Sequence, residues 1–164
     1  MRTCVLIVIL LAGCSGIKVV IPPSEQLVAD ATTSRALWNK SAIKDYRYVF
    51  HAGGGLGSSP GVLITVRSAQ VVSVEYAESE RDCHSGQKYR KGKDALPERA
   101  ARSHTINDLF ARLEECHLDC AVISAEFHPT YGFPVRFHIE PLLEDGTMME
   151  DASYSGRIYD FEIL

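Results

Sequence analysis

The sequence predicts an α+β domain with two layers, an antiparallel sheet of about six strands carrying two main helices on one face, in the order α-βββ-α-βββ. Three observations lead there. Apolar and polar residues alternate along three segments between 46 and 76, the period of half-buried strands. Ile106, Leu109, Phe110, Leu113 and Cys116 then fall at i, i+3, i+4, i+7 and i+10, one face of a helix. Two further strands, 121–128 and 134–140, flank the turn Pro129-Thr130-Tyr131-Gly132-Phe133, and a last strand covers 157–164. A two-layer arrangement buries both helix stripes and the apolar strand faces together.

Taken in order, Ser24 caps a helical stretch to about Ile43, with Leu27, Ala31, Leu37, Trp38 and Ala42 as its apolar positions. Ala31-Thr32-Thr33-Ser34 is weak helix, and a break is expected there. Tyr46, Tyr48 and Phe50 share one face of the first strand. Gly53 to Gly61 is expected to be a flexible connection. Val62–Arg67 and Val71–Tyr76 form a hairpin about Ser68-Ala69-Gln70. From Glu78 to Ser103 the periodicity disappears, apart from a short helix expected around Pro97 to Arg102. A span of that length without structure is uncommon in a small domain. Thr105-Ile106-Asn107-Asp108 has capping-box spacing, with Asp108 in place of Glu or Gln. Glu144 to Ser155 reads as a polar acidic loop.

The chain of 164 residues is 46% hydrophobic and 23% charged, a globular composition. Its net charge of −4 argues against nucleic acid as a partner, which requires a strongly basic domain. The N-terminus has another character. Arg2 precedes an apolar run from Cys4 to Ala12, and Leu11-Ala12-Gly13-Cys14 ends it with small residues before a cysteine. This is the layout of a secretory signal, too short to span a bilayer, and its last four residues resemble the bacterial lipobox. Residues 1–13 are therefore expected to be a signal peptide, 14–24 a tether lipidated at Cys14, and 25–164 a single globular domain. Ile21-Pro22-Pro23 would stiffen the tether.

Export to an oxidising compartment turns attention to Cys83, Cys116 and Cys120. One disulfide and one thiol are expected, with Cys83 joined to Cys120 or Cys116. Cys120 is preferred because Cys116 continues the apolar stripe and is accounted for by packing. Cys83-His84, Cys116-His117 and Cys120 offer the donor types of a zinc site but lack its Cys-x2-Cys knuckle. No nucleophile elbow, phosphate loop or calcium loop is present, so neither a catalytic set, a metal nor a cofactor is expected. The cluster Lys88, Arg90, Lys91 and Lys93 is a candidate contact for anionic headgroups or glycans beside the anchor.

Several short motifs occur in a fixed order. They are Trp38, Ile43-Lys44-Asp45-Tyr46-Arg47-Tyr48, Val71-Val72-Ser73-Val74 and Thr105-Ile106-Asn107-Asp108-Leu109-Phe110, then Tyr131-Gly132-Phe133-Pro134, Glu140, Asp151 and Tyr159-Asp160-Phe161. The series resembles the bacterial family called domain of unknown function 6174, found in lipoproteins and secreted proteins, over roughly residues 37 to 163. That family commonly has Cys-x-Cys where this chain has His51-Ala52-Gly53, and favours Asp where His128 stands. The resemblance implies the fold and export, and no activity. The expectation is a lipid-anchored cell-envelope protein acting as a non-enzymatic binding or structural module. The open sheet face and the 78–103 loop would be its working surface, and an envelope protein or glycan its partner. With two membranes in the host, Ser15 after the cysteine favours the outer membrane, facing the periplasm. The alternative is an envelope enzyme or metal-dependent protein using the Cys and His residues.

Overall fold

The computed structural model describes residues 25–54, 57–58, 60–78, 88, 90–95, 104–116, 120–142 and 153–164. The expected signal, Cys14, the tether, Cys83, the short helix at 97–102 and most of the acidic loop lie outside these. Helix α1 spans Glu25–Ser41, followed by strands β1 (Tyr46–Gly54), β2 (Gly57–Ser58), β3 (Val62–Arg67) and β4 (Gln70–Tyr76). Helix α2 (Ile106–Glu115) precedes β5 (Cys120–Phe127), β6 (Pro134–Pro141) and β7 (Tyr154–Ile163). All pairings are antiparallel, and six strands lie in the order β4-β3-β1-β7-β6-β5, with the short β2 on β1. The α+β class and the order α-βββ-α-βββ are those read from the sequence.

One core joins both helices to one face of the sheet. Trp38 of α1 and Ile106, Leu109, Phe110, Leu113 and Cys116 of the α2 region pack over Tyr46, Tyr48, Phe50, Ile64, Val66, Phe137 and Ile158. Trp38 meets Tyr46, Phe133 and Phe161 edge-on at 5.4–6.2 Å, a favoured geometry for aromatic pairs. Phe161 reaches that cluster through a bulge: Asp160, at φ 52°, is the extra residue where the β1–β7 register shifts. Phe137 lies across Gly156, where a Cβ would collide with its ring.

Helix α2 enters the core through an unusually complete set of partners. Asp108 N donates to Thr105 Oγ1 at 3.2 Å, and Thr105 N donates to Asp108 Oδ2 at 2.7 Å, closing the capping box. Two tyrosines of β1 add to it. Ile106 N donates to Tyr46 Oη at 3.0 Å, and Tyr48 Oη donates to the His104 carbonyl. Burial, with a smaller push from Asp108 and opposed by the Ile106 N–H, raises the Tyr46 phenol to about 12. Burial likewise holds the Tyr48 phenol well above its ordinary value, and lowers the His104 imidazole below its own with help from Arg112.

The structure departs from the sequence reading in four places. Helix α1 runs unbroken through Thr32 and Thr33, and Ser34, 9% exposed, faces inward one turn before Trp38, while Leu37 is 40% exposed. The cause is Gly132: a Cβ there would collide with the Ser34 carbonyl, so the 129–133 turn sits against the helix backbone and only a small residue fits beneath it. Ala42 lies beyond the helix end at φ 54°. The glycine-rich connection is partly strand, since β1 continues to Gly54 and pairs with β2. β7 begins at Tyr154, so Ser155 belongs to the sheet. Part of the 78–103 span is also held. Tyr76 N, Gly92 N and Ala95 N bond across to Lys93 O, Tyr76 O and Val74 O at 2.8–2.9 Å, with Gly92 at φ 68° in the turn.

A candidate binding groove on the open face of the sheet

The face turned away from the helices carries the alternate residues of each strand, and the registers fix what stands beside what. Across β1, β7, β6 and β5, His51 lies opposite Arg157, Arg157 opposite Arg136, and Arg136 opposite Glu126. The next open-face row is Gly53, Ser155, His138 and Ser124. Apart from Glu126, these two rows line an open groove of about 330 Å³. Gly53 contributes no side chain, which deepens the groove beside Ser155.

Hydrogen bonds fix the polar floor. His138 Nδ1 lies 2.7 Å from Ser155 Oγ, and His138 Nε2 lies 2.6 Å from Glu140 Oε1. With Glu140 accepting from Nε2–H, Nδ1 is free to accept the Ser155 hydroxyl proton. Glu140 Oε2 is buried without a hydrogen-bond partner among the described residues. His51 Nε2 shares a hydrogen bond with Tyr159 Oη. The His51 ring lies over Gly61, where a Cβ would collide with it. Burial raises the Tyr159 phenol above its ordinary value, with Glu78 and Asp160 adding and Arg157 opposing.

The two arginines of the groove stand apart from others in the fold. Arg35, Arg47 and Arg67 pair with Glu114, Glu162 and Asp45, and Arg112 lies 4.0 Å over the Tyr154 ring. Arg136 and Arg157 face each other across the β6–β7 ladder with no ion pair among the described residues. Like charges placed directly opposite destabilise a sheet. Both are exposed, ready to meet an anion.

The Ser155–His138–Glu140 line has the order nucleophile, base, orienting carboxylate. Among the described residues, its surroundings do not complete such a site. Ser155 and Gly156 pair on both sides, with β1 and with β6, so their N–H groups belong to the sheet ladder. They cannot serve as the backbone donors that an acyl-transfer oxyanion needs. The guanidinium groups are the cationic donors at hand, and they suit a bound anion.

The residues singled out from the sequence fall elsewhere. Arg90, Lys91 and Lys93 are exposed along the outer side of β4, at the sheet edge opposite β5; Lys88 is exposed too, and none of the four lines the groove. Cys116 is buried and disulfide-bonded. The side chains of Cys83 and Cys120 lie outside those described. A bonded Cys116 goes against the preferred Cys83–Cys120 pairing, which left Cys116 as the free thiol, and suits the other expected pairing, Cys83–Cys116. Burial in the core does not exclude a bridge. Among the described residues, no group of three His, Cys, Asp or Glu residues is placed to hold a metal, and no helix is long and apolar enough to cross a membrane. His51 and Gly53, where this chain departs from the Cys-x-Cys pattern of the family it resembles, both line the groove.

The groove residues carried a weak signal in the sequence. Arg136, His138 and Glu140 alternate with Val135, Phe137 and Ile139, a strand whose polar face is unusually rich in functional groups. Ser155 gave none, because it was read as loop. A search of curated proteins and a search of solved structures each return no match. Residues 30–161 match a family described as being of unknown function, DUF6174, and the chain belongs to that family.

Proposed function

We propose that this chain is a lipid-anchored cell-envelope protein working as a non-enzymatic binding module, its ligand held in the groove of the open sheet face. The observation that carries the binding half is the Arg136–Arg157 couple, without an ion pair among the described residues, beside the hydrogen-bonded Ser155–His138–Glu140 line. The anchoring half rests on the apolar run ending in Leu11-Ala12-Gly13-Cys14. Acyl chains on Cys14 supply the membrane attachment, and two or more of them give stable anchoring. The partner is an envelope protein or glycan. In a host with two membranes the chain sits on the outer one, facing the periplasm.

Each half has its experiment. Cys14→Ser should abolish membrane fractionation and leave uncleaved precursor, and globomycin should cause the native precursor to accumulate. A Ser variant that still sediments with membranes would remove the anchor from the account. For the groove, Gly53→Val fills the space beside Ser155 while suiting a strand. A Cβ at 53 lies 3.7 Å from Ser155 Cβ, an ordinary contact. This variant should fail to restore whatever a deletion strain loses; full restoration would overturn the groove as the working site.

The line Ser155–His138–Glu140 favours a second reading, an envelope hydrolase. A serine-directed fluorophosphonate separates the two. The binding module leaves Ser155 unlabelled, whereas stoichiometric labelling at Ser155 would favour the enzyme.

A further inference from the structure

We infer that the groove recognises a phosphoryl group, clamped between Arg136 and Arg157 over the Ser155–His138 floor. This rests on the groove being the ligand site and adds the chemical class. One guanidinium meets both oxygens of a carboxylate through two parallel N–H···O bonds and balances its single charge. Here a second guanidinium stands directly opposite the first on the neighbouring strand. Such a set calls for more oxygens and more charge than one carboxylate carries. A phosphate monoester supplies both, as a tetrahedral group with about two negative charges at neutral pH.

The setting agrees with this. Cross-strand neighbours on one face have Cβ atoms about 4.5–5.5 Å apart, so two arginines there reach one small anion together. Arg47, on the same face of β1, provides the contrast: its guanidinium is engaged by Glu162 at 2.6–2.7 Å. Glu126, on the other side of Arg136, forms no ion pair with it, and Glu140 is engaged by His138 at 2.6 Å. The groove volume of about 330 Å³ exceeds what phosphate needs and leaves room for the molecule that carries it. The groove is open along the sheet, so the rest of that molecule lies against Ser124 and Gly53.

The full chain, isotope-labelled, is titrated with inorganic phosphate, glucose 6-phosphate, acetate at matched ionic strength, and vesicles with or without phosphatidic acid, whose headgroup is a phosphate monoester. Phosphate or its ester should give saturable shifts at the amides of His51, His138, Ser155 and Arg157, and acetate should not. Arg136→Gln and Arg157→Gln should each weaken binding about tenfold or more, the effect of removing one charge-assisted contact. Arg47→Gln should leave it unchanged, and Gly53→Val should exclude glucose 6-phosphate. Saturation by soluble phosphates identifies a soluble or glycan-borne phosphate. Response to phosphatidic acid vesicles alone identifies a lipid headgroup. Equal shifts with acetate, or undiminished phosphate binding in the arginine variants, would overturn the phosphoryl assignment. If no phosphate binds while Gly53→Val still abolishes function in cells, this assignment fails and the groove stands. If neither result is obtained, both fall.

Discussion

Replacing Phe110 with Ala tests the packing of α2 on the sheet. Phe110 is 0% exposed. One face of its ring stacks on Phe127, with centroids 6.2 Å apart and planes 6° from parallel, and the Arg35 guanidinium lies 5.8 Å from its centroid. The variant removes the whole ring from a site closed on all sides, so a cavity adds to the lost transfer energy. Buried Phe→Ala changes cost about 3–5 kcal/mol, and the stacked partner and the cation place this one in the upper part of that range. A domain of ordinary stability has about 5–15 kcal/mol to lose. Urea unfolding should show the midpoint falling by on the order of 1–3 M with an unchanged slope. Heat should unfold the variant roughly 10 °C or more earlier. Phe110→Leu, which refills most of the volume, should recover at least half of the loss. A loss under about 1 kcal/mol for Phe110→Ala would mean that α2 does not seal the core.

Other expectations follow from single contacts. Tyr46→Phe leaves the buried Ile106 N–H without its acceptor and should cost about 1–3 kcal/mol by denaturant unfolding; a neutral effect would remove Tyr46 from the α2 entry. The Tyr46 and Tyr48 phenols are raised in the folded chain, so the unfolded chain loses protons first. Stability should therefore hold up to pH 10 and fall above it, by at most about 1.4 kcal/mol per pH unit for each tyrosine, towards pH 12 for Tyr46. Arg157→Gln relieves the like-charge couple and should raise stability by a few tenths of a kcal/mol; marked destabilisation would mean that Arg157 is held by a partner of its own. Native mass spectrometry under alkylating conditions should find one free thiol among Cys83, Cys116 and Cys120, with Cys116 protected. Three alkylated cysteines would sink the bridge.

The fold was legible where side chains repeat with a period and faded where they do not. The stripe Ile106, Leu109, Phe110, Leu113, Cys116 and the box Thr105–Asp108 mark α2 in the sequence as they stand in the structure. Gly53, Gly54 and Gly156 carry no side chain to alternate, so the extension of β1 and the start of β7 left no trace. The Leu37 and Ser34 exchange had the same kind of cause. Their burial is decided by the close approach of Gly132, a tertiary contact that no local pattern records. The candidate site was hidden for a related reason. Its rows run across strands, bringing together His51, Arg136 and Arg157, residues separated by long stretches of chain. Sequence reasoning placed the working surface on the open sheet face without finding those rows. The basic residues it singled out lie at another edge.

The groove is tested most directly by a photo-crosslinking residue at Ser124, on its rim, compared with one at Val72, 58% exposed on the edge strand β4. In cells, Ser124 should give a defined adduct that Val72 does not, and Gly53→Val should abolish it while leaving the melting temperature close to that of the native chain. The same adducts from Val72, or adducts from Ser124 that survive Gly53→Val, would contradict the groove as the place where this protein holds its ligand.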